Sequence, residues 1–236
     1  DPATGVTGTS GDEQVTVSFT APSDVGGADI TGYSVQSNNG DGTYYLSYLA
    51  NASYDSVSFS VSAQDGTPFS LFFKPTGDVL FVLGYSNDTV YQYTLSTAWD
   101  ISTASYDSKS FSVGSQDGTP YQIFFKPDGT KMYMVGTTTD TVYQYTLSTA
   151  WDISTASYDN VSFSVSSQET APTGLWFKDD GTKMYIYGQT SADFFQYSLS
   201  TAWSISTASY DNVSYAATAA ETGNRNFCII NDGYSL

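Results

Sequence analysis

The side chains that most often perform catalysis or bind metals are scarce in this sequence. No histidine occurs among the 236 residues, which removes the commonest general base, the commonest zinc ligand and any Ser-His-Asp or Cys-His arrangement. The single cysteine, Cys228, lies in the apolar run Phe227–Ile230, so we expect a buried and unreactive thiol. No Gly-rich phosphate loop and no nucleophile motif with a partner base occurs. The sequence therefore predicts no cofactor and predicts that the chain is not an enzyme.

Carboxylates are abundant, because 24 acidic residues stand against 7 basic ones and give a net charge of −17. Many recur at fixed intervals: Asp100 and Asp152; Asp107, Asp159 and Asp211; Asp128, Asp180 and Asp232. Paired carboxylates can hydrolyse glycosides, but a chain this acidic contains such pairs by chance. Calcium needs several oxygens that converge from a short D-x-D-x-D-G loop, and no such loop occurs. We expect no metal site, and the charge disfavours nucleic acids and anionic membranes as partners.

A periodic series of aromatic residues offers a different chemistry, which is stacking on a ligand. Trp99, Trp151 and Trp203 each lie in a long loop after a third strand, and Tyr106, Tyr158 and Tyr210 each belong to a Ser-Tyr-Asp triplet. Exposed aromatic faces on a loop rim can stack on sugar rings, so these side chains are the candidate ligand-binding residues for a cell-surface glycan. The alternative is that each ring packs between neighbouring repeats, once per repeat.

These residues recur because the chain is built from a repeat of 52 residues. The segments Asp88–Asp107 and Asp140–Asp159 are identical, and a third copy runs from Asp193 to Asp211. The rest of the unit repeats as well, at Phe72–Gly77, Phe124–Gly129 and Trp176–Gly181, with a weaker match at Cys228–Gly233. Units that recur at a fixed period predict an architecture in which each repeat buries its faces against its neighbours.

Each repeat contains four short strand patterns. In one repeat they are Tyr121–Lys126, Lys131–Gly136, Thr141–Leu147 and Val161–Ser166, and the last alternates apolar residues with serines, which is typical of a half-buried strand. Four antiparallel strands in about 50 residues describe a propeller blade, so we predict an all-β fold, a β-propeller of four-stranded blades. The predicted repeats cover 44–236, with blades at about 68–115, 120–167 and 172–219 and half-blades at 44–63 and 224–236.

Two patterns in the repeat resemble known repeat families. The string FKPDGTKMY at Phe125–Tyr133 resembles the turn-and-strand signature of YVTN-type, lactonase-like propeller repeats. The string TVYQYTLSTAWDISTASYD, which ends at Asp107 and again at Asp159, resembles repeats in tail and surface proteins of marine phages and bacteria. These resemblances imply a propeller fold but no particular activity, because propellers carry many unrelated functions.

Residues 1–40 do not follow the repeat. Strands are predicted at Gln14–Phe19 and Ile30–Gln36, separated by a turn-rich linker. Their order resembles the first half of a bacterial fibronectin type III domain, although Phe19 stands where that family has tryptophan. The resemblance implies a partial β-sandwich-like segment. Since half a sandwich leaves a face and an edge open, its strands must pair with the propeller, with another chain or with residues missing from this sequence.

These features together favour a non-enzymatic structural or binding module of a virion (phage tail or capsid decoration) or a cell-surface adhesin, acting through repeated weak contacts. The expected partners are other virion or surface-assembly subunits, with homo-oligomerisation, and the expected location is extracellular or on the virion surface. One alternative is a self-assembling filament or ring subunit that neighbouring chains complete. The other is a lactonase-like or glycan-cleaving propeller enzyme.

Three smaller features bear on this setting. No apolar run approaches the roughly 18 residues that span a bilayer, so we expect no membrane insertion. Asn51, Asn87, Asn160 and Asn212 head N-x-[S/T] triplets, which are glycosylation sites only if the chain passes through a glycosylating secretory route. The repeat stops at Leu236, early in a further strand, which favours a fragment of a larger protein.

Overall fold

The computed structural model describes residues 4–11, 14–20, 37–38, 44–45 and 54–216. The chain divides into two compact units, residues 1–55 and 56–236. In the first unit, β1 (Thr4–Gly11) pairs antiparallel with β2 (Gln14–Thr20), and β3 (Ser37–Asn38) pairs with β4 (Tyr44–Tyr45). The strand predicted at Ile30–Gln36 lies outside the described residues, as does the half-blade predicted at 224–236, and the fibronectin-like segment stays a prediction.

The second unit contains three antiparallel four-stranded sheets, which we call blades 1, 2 and 3. Blade 1 comprises β5 (Pro68–Phe73), β6 (Val79–Gly84), β7 (Thr89–Leu95) and β8 (Ala104–Ser112). Blade 2 comprises β9 (Pro120–Phe125), β10 (Lys131–Gly136), β11 (Thr141–Leu147) and β12 (Ala156–Ser164). Blade 3 comprises β13 (Pro172–Phe177), β14 (Lys183–Gly188), β15 (Asp193–Leu199) and β16 (Ala208–Ala216). The prediction of an all-β fold of four-stranded repeats is confirmed.

Within each blade the strands pair in chain order, and we call their positions A, B, C and D. Strand A of blade 2 lies beside the A strands of both neighbouring blades, which is the radial arrangement of propeller blades around an axis. The B strands are the most buried, since every residue of β6 is buried. The core therefore lies between blades rather than within one sheet. No helix in the described part of the chain is long and apolar enough to cross a membrane.

The fourth strand of blade 2 begins earlier than the sequence predicts, at Ala156 rather than Val161. The reason is a bulge: the pairing register shifts between Gln144 and Tyr145, and Asn160 opposite has a φ of 57°. The bulge leaves Asp159 and Asn160 without Cα partners on β11, and the alternation of half-buried and exposed residues is interrupted between Tyr158 and Asp159. The strand before the bulge is therefore invisible to a search for period-two patterns.

Candidate functional site

Trp151 lies at the junction between blades 1 and 2. Its main-chain N–H donates to the carbonyl of Gly129 (3.1 Å), in the hairpin between strands A and B of its own blade. Its ring stacks on Phe72 and Phe81 of blade 1, with centroid distances of 6.4 and 6.3 Å, and on Phe125 of blade 2 at 5.9 Å. Each centroid distance is within the range of favourable aromatic pairs. The loop that holds Trp151 therefore contributes to the contact between blades.

The other two tryptophans differ in what lies against them. Trp203 repeats the contacts of Trp151 at the next junction, since it stacks on Phe124 at 6.3 Å and on Phe177 at 5.6 Å. Trp99, in blade 1, is 60% exposed. A ligand-binding role for the three tryptophans stays a prediction, and Trp99 is the one whose ring is most open to solvent in the structure.

The predicted tyrosines lie on the D strands, against the C strand of their own blade. Tyr158 contacts the rings of Tyr143 and Tyr145, at centroid distances of 6.0 and 5.7 Å. Tyr106 and Tyr210 make the equivalent contacts in blades 1 and 3. All three are half-buried, and a role in binding stays a prediction for them too.

The aspartate that follows each of these tyrosines belongs to a clasp between blades. Asp159 accepts hydrogen bonds from Gln144 Nε2 (2.8 Å) and Lys131 Nζ (3.0 Å), and Gln144 Oε1 accepts the main-chain N–H of Ile205 in blade 3 (3.3 Å). The same chain of contacts links blade 1 to blade 2 through Asp107, Gln92 and Ile153. Burial alone would raise the pKa of Asp159, but the hydrogen bonds that it accepts lower it.

A second set of carboxylates, which the sequence analysis did not single out, lies at the end of the blades opposite to the A–B hairpins and the tryptophans. We call this end the acidic rim. Asp65, Asp117 and Glu169 occupy equivalent positions before each A strand, and they are 3%, 2% and 2% exposed. Asp117 accepts the main-chain N–H groups of Thr119 (2.8 Å) and Thr139 (3.0 Å), and so holds the turn between strands B and C. The only sequence signal was their recurrence at the repeat spacing in a connector with no obvious role.

Asp88 and Asp140 lie in those B–C turns and differ from the other carboxylates. Each has a positive φ, 48° and 51°, and each has a buried Oδ1 without a hydrogen-bond partner. Burial raises the pKa of Asp140, and the neighbouring charges of Asp117 and Glu169 raise it further. A carboxyl group with a raised pKa is suited to proton transfer. In the described ranges, no group of three or more side chains is arranged to hold a metal ion.

The two ends of the blade stack carry four of the five large apolar side chains that are exposed among the described residues. We define the leading face, on blade 1, by Leu71, Trp99 and Ile101, and the trailing face, on blade 3, by Trp176, Tyr185, Gln196, Val213 and Tyr215. Leu71 is 60% exposed, whereas its counterpart Ile123 at an internal junction is 1% exposed. On the trailing face, Val213 and Tyr215 are 49% and 71% exposed. Both faces therefore repeat the composition of an internal junction and expose part of it, while Phe59 and Val61 pack against Leu80 and Tyr93 on the leading face.

No family model and no curated protein sequence matches the chain. Solved structures with a similar arrangement include a proposed 6-phosphogluconolactonase from Bacteroides fragilis, with 12% identity, a TM-score of 0.47, and coverage of 63% of this chain and 39% of that one. The periplasmic gluconolactonase of Pseudomonas aeruginosa has 12% identity, a TM-score of 0.44, and coverage of 56% and 35%. A β-propeller domain from Myceliophteria thermophila has 10% identity, a TM-score of 0.39, and coverage of 56% and 39%.

The chain spans less than half the length of each of these structures. None of the three supports the resemblance to fibronectin type III domains or to virion proteins. The prediction that the chain is not an enzyme is contradicted, because two of the three are named as lactonases. The sequence argument relied on missing motifs, but in a repeat fold a site can draw its groups from separate blades, which no local motif records. At identities of 10–12% and TM-scores below 0.5, these likenesses assign neither an activity nor a substrate to this chain.

Proposed function

We propose that the chain is a structural assembly module, a three-blade section of a β-propeller whose end faces accept further blades. The exposure of those two faces carries the proposal. Among the described residues, five large apolar side chains are exposed, and four of them, Leu71, Trp99, Val213 and Tyr215, lie on the leading or trailing face. Burying such a side chain fully contributes about 1.5–3 kcal/mol, so a covered face is strongly favoured over an open one.

The internal junctions support the same proposal because they repeat almost unchanged. Phe81 and Phe125 have ring centroids 4.3 Å apart across the first junction, and Tyr133 and Phe177 are 4.4 Å apart across the second. On the trailing face the corresponding ring, Tyr185, is half-buried rather than fully buried. The same junction geometry occurs twice between blades of this chain, so the trailing face of blade 3 is suited to form the same contact with a further blade.

The setting that we propose for this module is extracellular or on a virion surface. The outer strands present exposed serines such as Ser105, Ser157 and Ser209, and the net charge of −17 keeps such a surface soluble. Partners would be other surface-assembly subunits. Repetition of weak contacts between such subunits would supply the avidity.

Hydroxyl-radical footprinting tests the assembly role. The isolated 236-residue polypeptide is compared with the protein in its natural assembly, and oxidation is quantified at Val213 and Tyr215 on the trailing face, with Ile123 as the internal control. We expect oxidation of the two trailing-face residues in the isolated polypeptide and protection in the assembly, with Ile123 protected in both. Equal oxidation of Val213 and Tyr215 in both samples would overturn the proposal.

Lactone hydrolysis at the acidic rim is the second candidate function. The favouring observation is the buried, unpartnered Oδ1 of Asp88 and of Asp140, which leaves an oxygen available to take up a proton. The names of two similar structures fit this chemistry. Acid release from 6-phosphogluconolactone and gluconolactone should exceed the spontaneous rate, fall in the Asp88→Asn, Asp140→Asn double variant, and persist in Asp179→Asn. Release at the spontaneous rate from both lactones would remove this candidate.

A further inference from the structure

The contact between blades 1 and 2, which we call junction 1/2, and the contact between blades 2 and 3, which we call junction 2/3, share one framework. At each junction a C-strand glutamine accepts the main-chain N–H of an isoleucine in the following blade: Gln92 accepts from Ile153 at 2.9 Å, and Gln144 accepts from Ile205 at 3.3 Å. Both isoleucines are fully buried, and each begins a short 3-10 helix. Differences between the junctions therefore come from the contacts that are added to this framework.

An ion pair crosses junction 1/2. Lys109 Nζ, on the D strand of blade 1, donates to Asp152 Oδ2 in the C–D loop of blade 2 at 2.8 Å. At the equivalent places of junction 2/3 the chain has Val161 and Ser204. The other ion pairs of residues 54–216 each join two residues of the same blade. The side chains of Lys109 and Asp152 are 37% and 22% exposed, so dissolved salt can screen their attraction.

The aspartates that hold the two C-strand glutamines differ in the same way. Asp159 of blade 2 also accepts from Lys131 of its own blade, at 3.0 Å. Its counterpart in blade 1, Asp107, accepts from the glutamine as well, but Val79 stands at the place of that lysine. In blade 2 the lysine beside the glutamine therefore binds within the blade, whereas Lys109 of blade 1 binds across the junction.

Junction 2/3 has neutral hydrogen bonds in place of the ion pair. Tyr133 Oη donates to the carbonyl of Trp203 at 2.6 Å, whereas Phe81, at the equivalent place of junction 1/2, has no hydroxyl. Near the A strands, Gln122 Oε1 accepts the N–H of Leu175 at 2.6 Å, and the corresponding bond to a serine at junction 1/2 is 3.4 Å long. Tyr133, Gln122 and Leu175 are buried, so salt has little effect on these bonds.

We infer that junction 1/2 is a salt-responsive joint in the blade stack, which loosens as ionic strength rises, and that junction 2/3 is not. Junction 1/2 depends on a charge pair at a place that solvent ions reach, whereas junction 2/3 depends on buried neutral bonds. The inference goes beyond the proposed assembly function, because it concerns contacts inside this chain and holds whether or not a further blade binds either end face.

The expected size of the effect follows from the exposure of the pair. The Debye length is about 10 Å at 0.1 M salt and about 3 Å at 1 M, so the attraction between Lys109 and Asp152 is present at the lower concentration and reduced at the higher one. Loss of a partly exposed pair changes an opening equilibrium by about two- to fivefold. Salt also relieves repulsion throughout a chain of net charge −17, so the two junctions must be compared with each other in the same sample.

Hydrogen exchange at the main-chain N–H groups of Ile153 and Ile205 measures the opening of the two junctions within one chain. Each N–H bonds to a glutamine across its own junction, so it exchanges when that junction opens. We expect the ratio of the Ile153 exchange rate to the Ile205 exchange rate to rise about two- to fivefold between about 0.1 M and 1 M sodium chloride. A ratio that salt does not change in the unmodified chain would overturn the inference.

Two variants test whether the ion pair causes the effect. The double variant Lys109→Val, Asp152→Ser gives junction 1/2 the residues of junction 2/3, and its ratio should not respond to salt. Adding Val161→Lys and Ser204→Asp moves the pair to junction 2/3, and the ratio should then fall about two- to fivefold as salt is raised. A rise that persists in the double variant, or that does not reverse in the fourfold variant, would also overturn the inference. The proposed assembly function is tested separately, by footprinting of the trailing face.

Discussion

At the scale of single residues, the contact between a hairpin glycine and a tryptophan ring holds one end of each blade in place. Gly129 has a φ of 73°, and a Cβ there would lie 2.4 Å from ring atoms of Trp151. Both the left-handed backbone and the overlap oppose a larger residue. We expect Gly129→Ala to lower the free energy of unfolding by about 2–4 kcal/mol in chemical denaturation.

Gly118→Ala is the matched control for that substitution. No atom lies within 4 Å of a Cβ built on Gly118, and the residue is exposed. We expect a change within about 0.5 kcal/mol. Equal losses in the two variants would show that the ring of Trp151 moves aside at little cost, and that the glycine is not required by the tryptophan.

Ala192 is a second residue whose backbone opposes its side chain. It has a φ of 57°, at the position where blades 1 and 2 carry Asp88 and Asp140. Alanine in the left-handed region costs about 1–2 kcal/mol, and glycine does not pay it. We expect Ala192→Gly to raise the free energy of unfolding by about 1 kcal/mol. Ala208→Gly, where φ is −68°, should lower it by about 0.5–1 kcal/mol, and a loss in both variants would contradict the argument.

At the scale of strands, the C-strand glutamine is the element that couples one blade to the next. Gln144 is 5% exposed, donates to Asp159 and accepts from Ile205 N. Gln144→Ala leaves that buried N–H unpaired, which costs about 1–3 kcal/mol in the free energy of unfolding. Gln196→Ala is the control on blade 3. Its Nε2 donates to Asp211, but no following blade presents an N–H to it within residues 54–216.

Calorimetry on the isolated chain measures both glutamine variants. We expect the melting temperature to fall further for Gln144→Ala than for Gln196→Ala, because only the former breaks a junction. If the two variants lose equal stability, the glutamine acts within its own blade, and the bond across the junction contributes nothing.

Strand existence was predictable from the sequence, whereas strand limits and junction contacts were not. The hairpin turn at Gly129 and the three inner strands follow from local sequence patterns that recur in each repeat. The bulge at Asn160 hid the start of β12, because a bulge breaks the alternation on which the prediction relied. The clasp from Asp159 through Gln144 to Ile205 joins residues far apart in the chain, and no spacing rule connects them.

For the whole molecule, the same limit explains why the sequence did not single out Asp88 and Asp140 as candidates for proton chemistry. The sequence analysis noticed Asp128 and Asp180, which hold hairpin turns by accepting from Thr130 and Thr182. It passed over Asp88 and Asp140, which become unusual only when the fold buries an oxygen of each beside other carboxylates. Burial and the approach of like charges are properties of the assembled blades, so their effect on pKa cannot be obtained from one repeat.

From the pKa directions of these two kinds of carboxylate, we expect the whole molecule to be most stable in mild acid. Burial raises the pKa of Asp88 and Asp140, so their stabilising contribution is present below the ordinary carboxyl value and is lost as pH rises through the raised pKa. Burial alone would also raise the pKa of Asp211, but hydrogen bonds from Lys183, Ser198 and Gln196 lower it to about 2. Its contribution is present above the ordinary value and is lost as pH falls toward 2.

We therefore expect the free energy of unfolding to rise as pH is lowered from 7, to peak near the ordinary carboxyl value of about 4, and to fall below it. Relief of repulsion within a chain of net charge −17 adds to the rise, and added salt should flatten that part. Urea titrations across this range test the two causes separately: Asp140→Asn should reduce the rise on the neutral side, and Asp211→Asn should reduce the fall on the acid side. A profile that Asp140→Asn leaves unchanged would mean that general charge repulsion, and not the buried oxygen of the B–C turn, sets the pH dependence.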